Sequence, residues 1–164
     1  MTALGKLGEA AGKLLKARGE SIAVAESSAG GLISAALLAV PGASAYFVAG
    51  GVIYTRTARE VLAEIDFERH PGMRSASEPY AALLAETMRR RMDTTWGLAE
   101  TGAAGPGGNR YGDAAGHTCI ALSGPVTRVF TLETGECDRE VNMWRFTEAA
   151  LEALVKALEQ SVTG

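Results

Sequence analysis

The stretch Leu98–Gly116, LAETGAAGPGGNRYGDAAG, decides how this chain is read. A short apolar approach (Trp96, Leu98, Ala99) runs into Glu100 and Thr101, and glycines follow at 102, 105, 107, 108, 112 and 116, with Pro106 among them. Clustered glycines let a backbone turn at positive φ and lie against a ligand where a Cβ would collide. Roughly 15 residues without helical or strand periodicity is long for a compact domain, and such loops are functional or disordered. A mobile surface loop is the plainer alternative. Against it stands a second small-residue loop, Ala25-Glu26-Ser27-Ser28-Ala29-Gly30-Gly31, which also follows an apolar strand and opens a helix. In α/β sheets, ligands collect at the carboxyl ends of strands, where such loops meet helix N-termini. Two loops of this kind predict one site.

Outward from these loops the chain alternates helix and strand. Thr2 to Arg18 carries Leu4, Leu7, Ala11, Leu14 and Leu15 at helical spacing and stops at Gly19. Ser21 to Ala25 is a short strand. Gly31 to Val40 is apolar nearly all round and reads as a buried helix closed by Pro41-Gly42. Ala45 to Thr55 is strand-like, with Gly50-Gly51 at a bulge or a close backbone approach. Thr57-Ala58-Arg59-Glu60 fits a capping box for a helix through Ile65, and residues 66–76 form a connection. Ser77, with Pro79 in the first turn, begins a helix to about Met92. Thr95 to Glu100 feeds the central loop. His117 to Leu122 and Thr127 to Leu132 form a hairpin around Ser123-Gly124-Pro125, and Asp138 to Val162 is a closing helix with a possible early break. This order predicts one domain over residues 1–164, a three-layer α/β/α sandwich on a mixed, mainly parallel sheet.

The totals exclude several classes. At 164 residues the chain buries a sizeable core. Sixteen basic against nineteen acidic residues, net charge −3, argue against a nucleic-acid partner, which calls for a basic stripe. Arg89-Arg90-Arg91 is the only basic run, and it reads as a solvated helix end suited to the dipole. No apolar run approaches a membrane span, and the N-terminus is amphipathic rather than a signal peptide, which points to a cytoplasmic protein. Cys119 and Cys137 lack metal or redox spacing, and Cys119 reads as a reduced core thiol. Two histidines are too few for a multi-histidine metal site. No phosphate-binding G-x-x-x-x-G-K-[ST], no G-x-G-x-x-G after a strand, no G-x-S-x-G and no S-x-x-K is present.

What remains is a set of hydroxyls beside glycine turns: Ser27, Ser28, Ser44, Tyr54, Thr55 and Thr101. Serine becomes a nucleophile only when a neighbouring base takes its proton. The same residues also serve as turn formers and helix caps. Composition alone leaves a small-ligand site with hydroxyls.

The run AESSAGGLISAALLAVPGASAYFVAGGVIYT, residues 25–55, resembles the signature of the CinA C-terminal domain family, AESCTGG…GSSA…F…G…V.YSNEAK. The block TGAAGPGG with Gly116 beyond it resembles that family's TGIAGPGGG…KPVG, and Ser77-Glu78-Pro79 matches its SEP. The agreement covers about residues 20–122. The resemblance implies a three-layer α/β/α domain, often oligomeric. It also implies nicotinamide mononucleotide (NMN) deamidase activity, which hydrolyses the amide to nicotinate mononucleotide and ammonia through a Ser/Lys pair, with no metal or other cofactor. By position, the family's serines fall on Ser27 and Ser44, its tyrosine on Tyr54 and its threonine on Thr101. Gly30, Gly31, Gly102, Gly105, Gly107, Gly108 and Arg139 fall in its substrate- and phosphate-binding regions. Ser44 is the favoured nucleophile, with Ser27 binding substrate or orienting the site.

The chain departs from that pattern at its ionisable groups. The lysine of YSNEAK is Arg59, and the Asn-Glu pair before it is Arg56-Thr57. A guanidinium cannot give up its proton in a protein, so Arg59 cannot replace a lysine base. Lys6, Lys13, Lys16 and Lys156 all lie in the first and last helices. Asp113-Ala114-Ala115 replaces Lys-Pro-Val before Gly116, and Met143 replaces a later arginine. Two expectations follow: an amidohydrolase whose base is Tyr54, His117 or an imported lysine, or a nucleotide-binding paralogue without turnover.

Overall fold

A computed structural model describes residues 2–161. Five strands, β1 (Ile22–Glu26), β2 (Phe47–Val52), β3 (Trp96–Ala103), β4 (His117–Ser123) and β5 (Arg128–Glu133), form one sheet in the order β2-β1-β3-β4-β5. β1 runs parallel to β2 and β3, whereas β3-β4 and β4-β5 are antiparallel. The sheet is therefore mixed, with its parallel part confined to the half that carries the two loops. Helices α1 (Ala3–Arg18), α2 (Leu32–Leu38) and α5 (Arg139–Gln160) cover one face, and α4 (Glu78–Arg91) covers the other. A short helix, α3 (Arg56–Val61), follows β2.

Strand alternation sets the two cores. Ile22, Val24, Trp96, Leu98, Ile120 and Leu122 point to the large-residue face under α1 and α5. Ala23, Ala25, Ala99, Cys119 and Ala121 point to the other. Small side chains on that second face let α4 lie close to the strands. The approach is tightest at Gly97, where a Cβ would collide with the Ala85 carbonyl and the Arg89 Cβ. In the first core the strands supply large side chains; in the second the large side chains come from α4 and the segments beside it (Tyr80, Leu84, Met88, Ile53, Ile65) and pack on small strand residues.

Local signals fixed most element ends. Thr2 and Ser77 cap α1 and α4 by accepting from Gly5 N and Tyr80 N, and Gly19 closes α1 in the left-handed region at φ 64°. Asp138 caps α5, which runs unbroken to Gln160; Val162 lies outside the described residues. The hairpin turns at Ser123-Gly124-Pro125 as expected.

Three expectations change. Helix α3 is capped by Thr55, whose Oγ1 accepts from Ala58 N at 3.1 Å, rather than by Thr57; Glu60 pairs with Arg56 at 2.7 Å instead of closing a capping box. The register irregularity of β2 lies near Val48, not at Gly50-Gly51, although Gly50 is a close approach, against Ser34 Oγ. The arginine run is not simply solvated: Arg89 donates to Ser123 Oγ at 3.0 Å, and Arg91 to the Leu62 carbonyl and to Glu64 at 3.3 Å.

Candidate functional site

The two small-residue loops meet at the carboxyl ends of β1 and β3, and two buried carboxylates hold them there. Glu26, the last residue of β1, is fully buried and accepts from the N–H groups of Gly31 (3.1 Å), Ile33 (2.8 Å) and Ser34 (2.8 Å). It thus caps α2 from below, satisfying amides a helix start leaves unpaired. Glu100, inside β3 and also fully buried, accepts from Ser28 Oγ (2.7 Å), Ala29 N (2.5 Å) and Thr118 Oγ1 (3.0 Å). Burial raises the Glu100 pKa, with those three hydrogen bonds opposing it and the nearby Glu26 charge adding to it. The first loop is thereby stapled to both central strands. Sequence reasoning passed over these glutamates, although each ends an apolar strand run just before a small-residue loop.

Ser27 emerges half-buried from this staple. With Tyr54, Arg59, Thr101, Ser75 and Tyr80 it lines a pocket of about 200 Å³. Thr101 Oγ1 accepts from Ala76 N at 3.0 Å and can still donate. Burial pushes the Tyr80 phenol up to about 12, against the pull of Arg59, so Tyr80 stays neutral. An adjoining pocket of about 390 Å³ is lined by Ser28, Tyr54, Arg139 and the turn carrying Gly102, Gly105, Gly107 and Gly108. Arg139 joins the two sides: its Nη1 donates to the Gly105 carbonyl at 2.7 Å and its Nη2 to the Tyr54 hydroxyl at 2.9 Å. Asn142 of the same helix donates to the Ala104 and Glu136 carbonyls, both at 2.8 Å, and pins the turn from beneath.

Gly102, Gly105 and Gly108 are required by the protein before any ligand is considered; a Cβ at Gly107 would meet nothing within 4 Å. A Cβ at Gly102 would strike the His117 carbonyl across β4, and one at Gly105, where φ is +113°, would sit 2.7 Å from the Cys137 carbonyl. Gly30 and Gly31 line neither pocket; they start α2 at positive φ, with Gly31 held by Glu26.

Of the five expected catalytic positions, Ser27, Tyr54, Arg59 and Thr101 converge and Ser44 does not. Ser44 lies in a 3-10 turn (Ala43–Ala45) before β2, whereas Tyr54 follows β2 and Ser27 follows the parallel β1. The six residues of β2 span roughly 20 Å, so within one subunit Ser44 cannot attack a group held beside Ser27. Within one subunit, two other candidates for the base lie away from the pocket. His117 does not line the pocket; its Nδ1 meets Glu133 Oε1 at 2.5 Å and its Nε2 the Ala76 carbonyl at 2.8 Å. No lysine among the described residues lines either pocket, and Lys16 donates to the Pro41 carbonyl at the far end.

Comparison with known proteins agrees with this architecture. The family model of the CinA C-terminal domain matches residues 5–158. A CinA-like protein of Gloeobacter violaceus is 40% identical over 130 residues, covering 79% of this chain and 30% of its own length. One from Chlorobium phaeobacteroides is 38% identical over 158 residues, covering 93% of this chain and 37% of its own length. The chain spans about a third of the length of these curated relatives. Among solved structures, the competence/damage inducible protein CihA from Agrobacterium tumefaciens matches with a TM-score of 0.87 at 27% identity over 98% of each chain. A competence-damaged protein (CinA) superfamily protein from Escherichia coli matches with a TM-score of 0.86 at 26% identity, covering 94% of this chain and 90% of its own.

Proposed function

Since the chain belongs to the CinA C-terminal domain family, we propose that it hydrolyses the carboxamide of NMN to nicotinate mononucleotide and ammonia, with Ser27 as nucleophile. The observation that carries this reading is the convergence of Ser27, Tyr54, Arg59 and Thr101, from three separate stretches, on one pocket. Ser27 Oγ adds to the amide carbon, and the oxyanion that forms is met by donors of the surrounding turns and by the Arg59 cation. The C–N bond breaks, ammonia leaves with the serine proton, and water then cleaves the acyl ester and regenerates the hydroxyl. Tyr54 is the group suited to relay that proton. Its oxygen accepts from Arg139, so its own hydrogen is free to point elsewhere. Arg59 stays charged throughout and serves as an electrostatic group rather than a base.

The same reading includes self-association, supported by the edge strand β2 with Val48 and Val52 about half exposed. It also includes a cytoplasmic setting; among the described residues no helix is long and apolar enough to cross a membrane. The test is incubation of the purified protein with NMN in the absence of metal, measuring ammonia and nicotinate mononucleotide. Turnover lost in Ser27→Ala and kept in Ser44→Ala supports the assignment. Turnover that survives Ser27→Ala refutes this nucleophile. An inert wild-type protein whose melting temperature NMN raises would identify a pocket kept for binding, the reading that the lysine-to-arginine change at position 59 favours.

A further inference from the structure

His117 stands outside the pocket, yet both of its ring nitrogens are committed to groups that only accept. It starts β4 and, with Cys119 and Ala121, alternates onto the face covered by α4. Nδ1 meets Glu133 Oε1 at 2.5 Å and Nε2 meets the Ala76 carbonyl at 2.8 Å. The two bonds exist together only when both nitrogens carry hydrogen. The charged groups around the ring are Glu133 from β5, Asp113 at 3.6 Å from Nε2, and Arg74, forked onto Asp113 at 2.7 and 3.3 Å. The Cys119 thiol lies 3.8 Å from Nε2, and Glu78, at the start of α4, is engaged by Thr131 Oγ1 at 2.6 Å.

The two partners of the ring differ in what they can do without it. The Glu133 side chain is 57% exposed, so water can take the place of the imidazole. Ala76 is 3% exposed and holds φ at +54°, a left-handed conformation that an alanine keeps only when its surroundings impose it. Its carbonyl takes the His117 N–H and two longer contacts, from Arg74 Nη1 at 3.4 Å and Cys119 Sγ at 3.6 Å. Its own N–H donates to Thr101 Oγ1 at 3.0 Å. Thr101 lines the Ser27 pocket, as does Ser75, the residue before Ala76. Accepting from Ala76 leaves the threonine hydroxyl its hydrogen for a group inside the pocket.

We propose that His117 is a positioning residue for this pocket: its Nε2–H fixes Ala76, and Ala76 in turn aims the Thr101 hydroxyl at the substrate carbonyl. When the ring gives up a proton, the one that leaves is on Nδ1, because Glu133 can be hydrated and the Ala76 carbonyl cannot. Asp113 beside Nε2 favours the same tautomer. The neutral ring therefore keeps its hold on Ala76, and its titration frees Glu133 without moving the pocket. The role of Thr101 rests on the amidohydrolase reading; the hold on Ala76 can be measured without turnover.

The experiment compares His117→Gln, His117→Asn and Glu133→Gln with the wild-type chain. Glutamine places its amide N–H near Nε2 and asparagine near Nδ1, so the first keeps the Ala76 bond and the second the Glu133 bond. Hydrogen exchange at the Ala76 amide should match wild type in His117→Gln and quicken about 10-fold or more in His117→Asn. NMR shifts of the ring nitrogens should show both protonated at low pH and the hydrogen on Nε2 once the ring is neutral. With NMN, kcat should stay within about 3-fold of wild type in His117→Gln and fall about 10- to 100-fold in His117→Asn, with little change in KM. Glu133→Gln, at an exposed position, should lower the pH at which the ring titrates and leave kcat and Ala76 exchange as they are. A neutral ring protonated on Nδ1 overturns the assignment, as does wild-type Ala76 exchange in His117→Asn. A His117→Gln variant as slow as His117→Asn overturns it too, because the ring is then needed only for packing. If His117→Asn does not fold, Glu133→Gln decides: a kcat that changes across the ring's titration refutes the proposal, and a flat one upholds it. Exchange and tautomer as expected in a protein inert toward NMN uphold the hold on Ala76 and refute the amidohydrolase reading instead.

Discussion

Replacing Glu26 by glutamine should loosen the first loop and cost measurable stability, because three amides converge on one buried carboxylate. Gly31 N and Ile33 N share Oε1, and Ser34 N takes Oε2. A glutamine can turn its single carbonyl oxygen to the first pair, but its NH₂ then faces the Ser34 N–H, donor against donor. One amide loses its partner, at about 1–3 kcal/mol, and the other two fall from charge-assisted to neutral bonds at roughly 1 kcal/mol each. Relief of the carboxylate's own burial offsets part of this. A net loss of roughly 2–4 kcal/mol remains. In a domain of this size 1 kcal/mol moves Tm by about 2–4 °C, so a fall of about 10 °C is expected. The assay is urea unfolding at pH 7 with an unchanged m-value, alongside Ser27→Ala, which should stay within about 0.5 kcal/mol of wild type. If Glu26→Gln also stays within 0.5 kcal/mol, Glu26 is not what fixes the loop. If it is unstable yet fully active, the link from Glu26 to the position of Ser27 is wrong.

Two further outcomes follow from the same geometry. Burial works against charge on His117, but the Glu133 carboxylate, the Ala76 carbonyl and Asp113 outweigh it and hold the imidazole pKa above its ordinary value. That contribution to stability is complete below about pH 6.5, the unfolded value, and is lost as pH rises through the higher folded value. His117→Ala should remove this stretch of the stability–pH profile; an identical slope in the variant would assign the titration elsewhere. Gly97→Ala drives a Cβ into the Ala85 carbonyl of α4. It should destabilise by about 1–3 kcal/mol, and a melting temperature within 2 °C of wild type would mean that α4 moves away freely.

Much of this protein is written in short-range pattern. Helical spacing and caps placed α1, α4 and α5, and Ser123-Gly124-Pro125 placed the hairpin, because these signals act within one turn of chain. Apolar strands ending in small-residue loops pointed to the carboxyl edge of the sheet as the candidate site, and the family resemblance picked out Ser27, Tyr54, Thr101 and the glycine turn, which the structure places together there. Tertiary structure decided the rest. Ser44 and Ser27 look equivalent as hydroxyls near glycines, but one precedes a strand and the other follows its parallel neighbour, so strand direction puts them at opposite ends. The two glutamates became anchors only when the sheet enclosed them with backbone donors from the neighbouring loop. Arg59, in the sequence merely the wrong cation for a base, became a buried charge once Phe67 covered its face and Arg56 took its carboxylate. Periodicity is a property of neighbours along the chain; desolvation and charge compensation belong to neighbours in space, and only the packed sheet supplies those.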